Sequence, residues 1–127
     1  MKKSTLYLII VLLVPCYTWA YGNCKNFKIG KFVLFDQGKN IHTKVERTAS
    51  EQIETDIKTG KYIKFKIRWI NECEYELTFV DGDSEKSGYF RHRKLVIKIT
   101  NVYADGYRFE GKVQGSKKMI TNILRVL

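Results

Sequence analysis

The chain has 127 residues, a formal net charge of +10 and a hydrophobic content of 44%. That length encloses one core rather than two, and the apolar share excludes intrinsic disorder. The positive excess directs attention to anionic partners rather than to any particular chemistry.

In chain order, residues 1–20 read as a secretory signal peptide. Lys2 and Lys3 open it, an apolar run follows over residues 6–14, and Thr18-Trp19-Ala20 ends it. The run is too short to span a bilayer, and no second one occurs, so no integral membrane span is expected. Cys16 follows Pro15 and Cys24 follows Asn23, where a lipidated bacterial cysteine follows a small residue, which makes lipoprotein anchoring the weaker reading. Residues 21–127 are expected to form a single exported domain, periplasmic or secreted. It keeps Cys24 and Cys73, an even count in an oxidising compartment. That favours one internal disulfide, with two free thiols as the alternative.

A first strand is predicted over residues 27–35, with Gly30 marking a bend, then a turn at 36–40. Strands are predicted over 41–47 and 51–57. Thr48-Ala49-Ser50-Glu51 also fits a capping box, with Ile53 and Ile57 on one helical face, so a short helix is the alternative over 48–58. The clearest periodicity follows. Ile63, Phe65, Ile67 and Trp69 alternate with Lys64, Lys66 and Arg68, and Cys73, Tyr75, Leu77 and Phe79 then alternate with Glu74, Glu76 and Thr78. This is a hairpin with a dry and a wet face, expected to pair Trp69 with Cys73, Arg68 with Glu74 and Lys66 with Glu76. A loop over 81–88 leads to a long strand over 89–103. A hairpin turn at Ala104-Asp105-Gly106 follows, then strands over 107–114 and 118–127. The expected fold is all-β: an antiparallel meander of about eight short strands closing into a small barrel or a strongly curved sheet.

Residues 21–85 hold eleven Lys or Arg against eleven Asp or Glu, whereas residues 86–127 hold ten against Asp105 and Glu110, a net of +8. Arg91, Arg93, Lys94, Lys98, Lys117 and Lys118 are the candidate anion-binding surface. The polyanions available outside the cytoplasm are lipopolysaccharide, anionic phospholipid headgroups, acidic glycans and released nucleic acid; solubility alone is the competing explanation.

Catalytic constellations are sparse. His42 and His92 read as solvent-side strand residues, and neither a Gly-x-Ser-x-Gly nor a His-Glu-x-x-His motif occurs. Asp81, Asp83 and Glu85 alternate like calcium ligands, but Lys86 stands where a calcium loop needs glycine, so a solvated turn is expected. Lys64-Phe65-Lys66 resembles a single-strand nucleic-acid platform, yet alternation sends Phe65 to the opposite face from the lysines, which makes nucleic acid a poor partner there. No metal site and no cofactor are expected.

Three spaced motifs resemble those of a family of small secreted bacterial proteins of unassigned activity. They are Cys24, Phe27, Gly30 and Phe32; then Arg47, Gln52 and Glu54; then Trp69, Cys73, Tyr75 and Leu77. Members look lipocalin-like in strand arrangement, and some carry the label DNA topoisomerase IV, which a chain this short without an ATP-binding motif does not fit. The resemblance implies a lipocalin-like barrel and singles out Arg47, Gln52 and Glu54. These three would either line a ligand mouth or include an Arg47–Glu54 ion pair that pins a hairpin register.

The sequence is read as a non-catalytic extracytoplasmic module that binds a small apolar ligand or an anionic envelope component. The alternatives are a secreted hydrolase and a structural envelope protein without ligand. Oligomeric state is not indicated.

Overall fold

A computed structural model describes residues 23–35 and 42–127. The predicted signal peptide and the turn predicted at 36–40 lie outside them. Eight antiparallel strands run in sequence order around a closed barrel: β1 (Gly30–Phe35), β2 (His42–Arg47), β3 (Glu51–Asp56), β4 (Tyr62–Asn71), β5 (Glu74–Gly82), β6 (Leu95–Tyr103), β7 (Gly106–Val113) and β8 (Met119–Val126). The ladder between β1 and β8, with Phe32 opposite Val126 and Leu34 opposite Leu124, closes it. Closure leaves no free sheet edge. Period-two alternation does the rest: Ile63, Phe65 and Ile67 of β4, Tyr75 and Leu77 of β5, Leu95, Ile97 and Ile99 of β6, and Tyr107, Phe109 and Val113 of β7 are buried in one core.

A 3-10 turn at Cys24–Phe27 precedes β1, where the sequence predicted strand from residue 27. It lies across the barrel end reached by the turns at 48–50, 72–73 and 104–105, and the Cys24–Cys73 disulfide fastens it there. The opposite end carries the connections at 57–61, 83–94 and 114–118. Among the described residues no helix is long and apolar enough to cross a membrane, which says nothing about crossing by strands.

Three local expectations are corrected. The β4–β5 hairpin pairs Trp69 with Tyr75 and Arg68 with Glu76, two residues away from the predicted register, and Lys66 lies opposite Thr78. Dry residues still meet dry ones, because a register irregularity between Trp69 and Asn71 lets the strand continue to a tight turn in which Asn71 Oδ1 accepts from the Cys73 amide at 2.9 Å. The helix alternative at 48–58 is not adopted. Thr48 Oγ1 does accept the Glu51 amide at 3.1 Å, as in a cap, but it closes the β2–β3 turn. Residues 89–94 are not strand: a single helical turn, α1 (Ser87–Phe90), sets Phe90 edge-on to Phe65, with ring centroids 5.7 Å apart. Burying Phe90 beneath the end of the barrel outweighs extending β6 by a few exposed residues.

Candidate functional site

The 3-10 turn closes one end because its residues converge on Arg47. Inward parity on β2 runs through Val45 to Arg47, so the last residue of the strand enters the core, where it is 3% exposed. A buried guanidinium must place its N–H groups. Arg47 Nε donates to Gln52 Oε1 at 2.8 Å and Nη1 donates to the Phe27 carbonyl at 2.7 Å. Nη2 donates to the hydroxyls of Tyr75 at 3.0 Å and Tyr107 at 2.8 Å. The two hydroxyls lie 2.7 Å apart. The guanidinium carbon sits 4.7 Å from the Tyr75 ring centroid and 5.1 Å from that of Phe32, so aromatic faces supply attraction where no carboxylate does. Burial depresses the Arg47 pKa, but its coupling and hydrogen bonds to Tyr75 and Tyr107 more than reverse this and leave it raised. Burial holds the Tyr75 phenol well above its ordinary value, against the pull of Arg47.

This cluster is a plug. Phe27 packs on Tyr107 at 5.3 Å, Lys25 pairs with Glu72 at 2.8 Å, and the Lys28 ammonium stands 5.5 Å from the Trp69 ring centroid. Arg47 and Gln52 therefore hold the barrel shut at this end rather than lining a mouth. No ion pair joins Arg47 to Glu54 among the described residues. In the ladder Arg47 lies opposite Gln52, and Glu54 lies opposite Val45.

Glu54 belongs to the other half. It shares the inward parity of Gln52 and is flanked by the buried Val45 and Ile63. Its carboxylate has no hydrogen-bond partner among the described residues. Burial raises its pKa, against the pull of Lys86 and Arg47. Yet the residue is only half-buried. Its side chain is thus turned inward and desolvated while still partly reached by solvent. The neighbouring inward positions behave alike: Leu34 on β1, Thr43 on β2, and Ile120 and Asn122 on β8 are also half-buried. Across the barrel, Phe65, Leu77, Leu95 and Val113 are sealed. The accessible strip thus runs along β8, β1, β2 and β3, on the side away from Phe90.

Ser87 adds a second unsatisfied group. Its Oγ is buried without a hydrogen-bond partner among the described residues, and a Cβ at Gly82, which pairs with Ile63, would come within 2.9 Å of it. Glu54 and Ser87 therefore flank Ile63 from opposite sides. Trp69 Nε1, towards the plug, is likewise unpartnered. Sequence reasoning missed Ser87, Asn122 and the paired hydroxyls of Tyr75 and Tyr107. Tyr75 was legible only as a member of an apolar face, and Tyr107 only as the start of a strand.

The remaining candidates are dispersed. Asp81 Oδ2 accepts the Tyr62 hydroxyl at 3.1 Å and Asp83 Oδ1 accepts the Tyr62 amide at 2.8 Å, so these carboxylates tie the loop to β4. Among the described residues no group of three His, Cys, Asp or Glu side chains is placed to hold a metal ion. His92 is exposed in the β5–β6 connection rather than on a strand. Lys94, Arg91, Arg93, Lys117 and Lys118 gather at the end bearing α1. Lys98 does not: it sits on the outer wall opposite Glu74 and Glu110. Compared with known proteins, the chain matches no family model, no curated protein and no solved structure.

Proposed function

We propose that the protein is a non-catalytic, exported binding module whose barrel takes up a small, mainly apolar molecule bearing a cationic or hydrogen-bond-donating end. The observation that carries this reading is Glu54, an inward-facing, half-buried carboxylate without a hydrogen-bond partner among the described residues, beside an apolar wall. Pockets of this type combine an apolar lining with a few placed polar groups. An ammonium or amide donor would meet Glu54, and a hydrocarbon body would lie along Leu34 and Ile120. The lipocalin-like resemblance of the motifs supports the same reading. The Cys24–Cys73 disulfide supports an oxidising location.

A hydrolase of the two-carboxylate kind is less well supported. The charges that act on Glu54 are those of Lys86 and Arg47, and the nearby Asp56 uses Oδ1 to accept the amides of Lys58 and Thr59.

The test uses the form beginning at Tyr21, in which Trp69 is the sole tryptophan and reports on the interior. Dodecylamine and dodecanoic acid are titrated against its fluorescence. Saturable binding that prefers the amine, with the preference abolished in Glu54→Gln, is expected. Absence of saturable binding by either probe, or equal affinity for the two, contradicts the reading.

A further inference from the structure

The two ends of the barrel differ in charge. At the closed end the connections 23–29, 48–50, 72–73 and 104–105 hold two basic and two acidic residues, and both acids are paired, Glu72 with Lys25 and Asp105 with Arg125. At the end bearing α1 the connections 57–61, 83–94 and 114–118 hold eight Lys or Arg against Asp83 and Glu85. Of those eight, among the described residues, only Lys94 forms an ion pair, with Glu76 at 3.4 Å. This end draws Lys58 and Lys61 from the half of the chain whose overall charge is zero, so the sequence-level split into a neutral and a basic segment understates it.

Apolar side chains stand among these cations. Ile57 is 56% exposed, Met119 46% and Tyr89 40%, and each lies in or beside one of the three connections. Arg93 caps the Tyr89 ring at 4.6 Å and donates to the Tyr89 carbonyl at 2.7 Å, which holds that aromatic in place at the rim. The closed end also exposes apolar residues, Ile29 and Leu127 among them, but without net charge beside them. A hydrophilic polyanion gives nothing in return for exposed Ile57 and Met119. A lipid surface does, because it offers anionic headgroups to the lysines and an acyl boundary to the apolar tips.

From this juxtaposition we infer that the rim formed by the β3–β4, β5–β6 and β7–β8 connections docks on an anionic phospholipid surface, with α1 facing the membrane. The surface stands whether or not the barrel carries a ligand. It excludes Lys98 and includes Lys58, Ile57 and Met119, which the excess of the C-terminal third did not indicate.

The experiment is co-sedimentation of the oxidised form beginning at Tyr21 with vesicles of phosphatidylcholine alone or of equal parts phosphatidylcholine and phosphatidylglycerol. Three proteins are compared with it: a rim triple variant (Lys58→Gln, Lys117→Gln, Lys118→Gln), a wall triple variant (Lys66→Gln, Lys98→Gln, Arg108→Gln) and an apolar variant (Ile57→Ser, Met119→Ser). All eight positions are exposed, so folding is not at stake. The expected result is binding confined to the phosphatidylglycerol vesicles and reversed by salt. The rim variant should bind roughly a hundredfold more weakly, and the wall variant far less affected. The apolar variant should lose roughly tenfold on vesicles while keeping its affinity for heparin. Equal binding to both vesicle types, equal loss in the rim and wall variants, or full retention by the apolar variant overturns the inference; the last outcome would identify plain polyelectrolyte adhesion.

Discussion

Arg47 Nη2 donates to the Tyr107 hydroxyl at 2.8 Å across 60 residues of chain, joining the end of β2 to the start of β7 through the barrel interior. Its other donors reach Gln52, Phe27 and Tyr75, so one side chain joins β2, β3, β5, β7 and the closing 3-10 turn. Truncating it orphans Gln52 Oε1 and the Phe27 carbonyl and leaves the Tyr75 and Tyr107 hydroxyls only each other. Arg47→Ala should cost about 4 kcal/mol, and Arg47→Lys nearly as much, because an ammonium cannot reproduce the planar fork. Tyr107→Phe removes one acceptor and should cost only about 1–2 kcal/mol. Urea unfolding of the three variants checks the order. A lysine variant as stable as the parent would show that the fork is not what matters.

The disulfide closes a separation of 49 residues and fastens the 3-10 turn to the β4–β5 hairpin. In the chain-entropy model a loop of that size contributes about 4 kcal/mol. The Cys24→Ser, Cys73→Ser protein should lose about that much, and it should lose first the amide-exchange protection of residues 24–27. The oxidised protein should weigh two hydrogens less than the reduced one. Alkylation of two thiols without prior reduction would remove the premise.

Glu54 gives stability a definite dependence on pH. Its folded pKa is raised by burial, so above its ordinary value the folded state still holds a proton that the unfolded chain has released. Stability therefore falls as pH rises between those two values and stays at the lower level above them. Glu54→Gln should be more stable than the parent by about 1 kcal/mol at neutral pH. The gain should vanish below the ordinary value of 4.5, where both states are protonated. Denaturant midpoints at a series of pH values read this directly, and a gain that grows on acidification would contradict it. An ammonium ligand favours the ionised carboxylate, so amine binding should weaken as pH falls through the same interval.

Two glycines should respond very differently to alanine. A Cβ at Gly106 would stand 2.0 Å from the Leu124 carbonyl oxygen on the neighbouring strand, so Gly106→Ala should cost about 3 kcal/mol or more. A Cβ at Gly88 would meet nothing within 4 Å among the described residues and the backbone there is ordinary, so Gly88→Ala should leave the melting temperature within a few degrees of the parent. Comparable losses in the two would mean that the approach of β7 to β8 is looser than it stands here.

The sequence by itself determined the class of fold. Alternation over 62–82 and 95–103 separates a dry face from a wet one, Asp105-Gly106 marks a turn that the structure places between Tyr103 and Gly106, and two cysteines define one bridge. These are local signals with a period of two or less than one turn, and tertiary context has little to add to them. Tertiary structure alone decided the site. Arg47, Gln52 and Glu54 are spaced as one group, yet Arg47 bonds to Gln52 at one end while Glu54 stands apart from both, because one further step of two along β3 moves an inward side chain towards the opposite end of the barrel. Val45 and Arg47 share a parity, which was the available hint that the arginine points inward. That it can remain there depends on two tyrosine hydroxyls and a carbonyl brought from β5, β7 and the 3-10 turn, which no local pattern encodes. The basic rim has the same origin. Its lysines come from three connections far apart in the chain, and barrel closure alone sets them side by side.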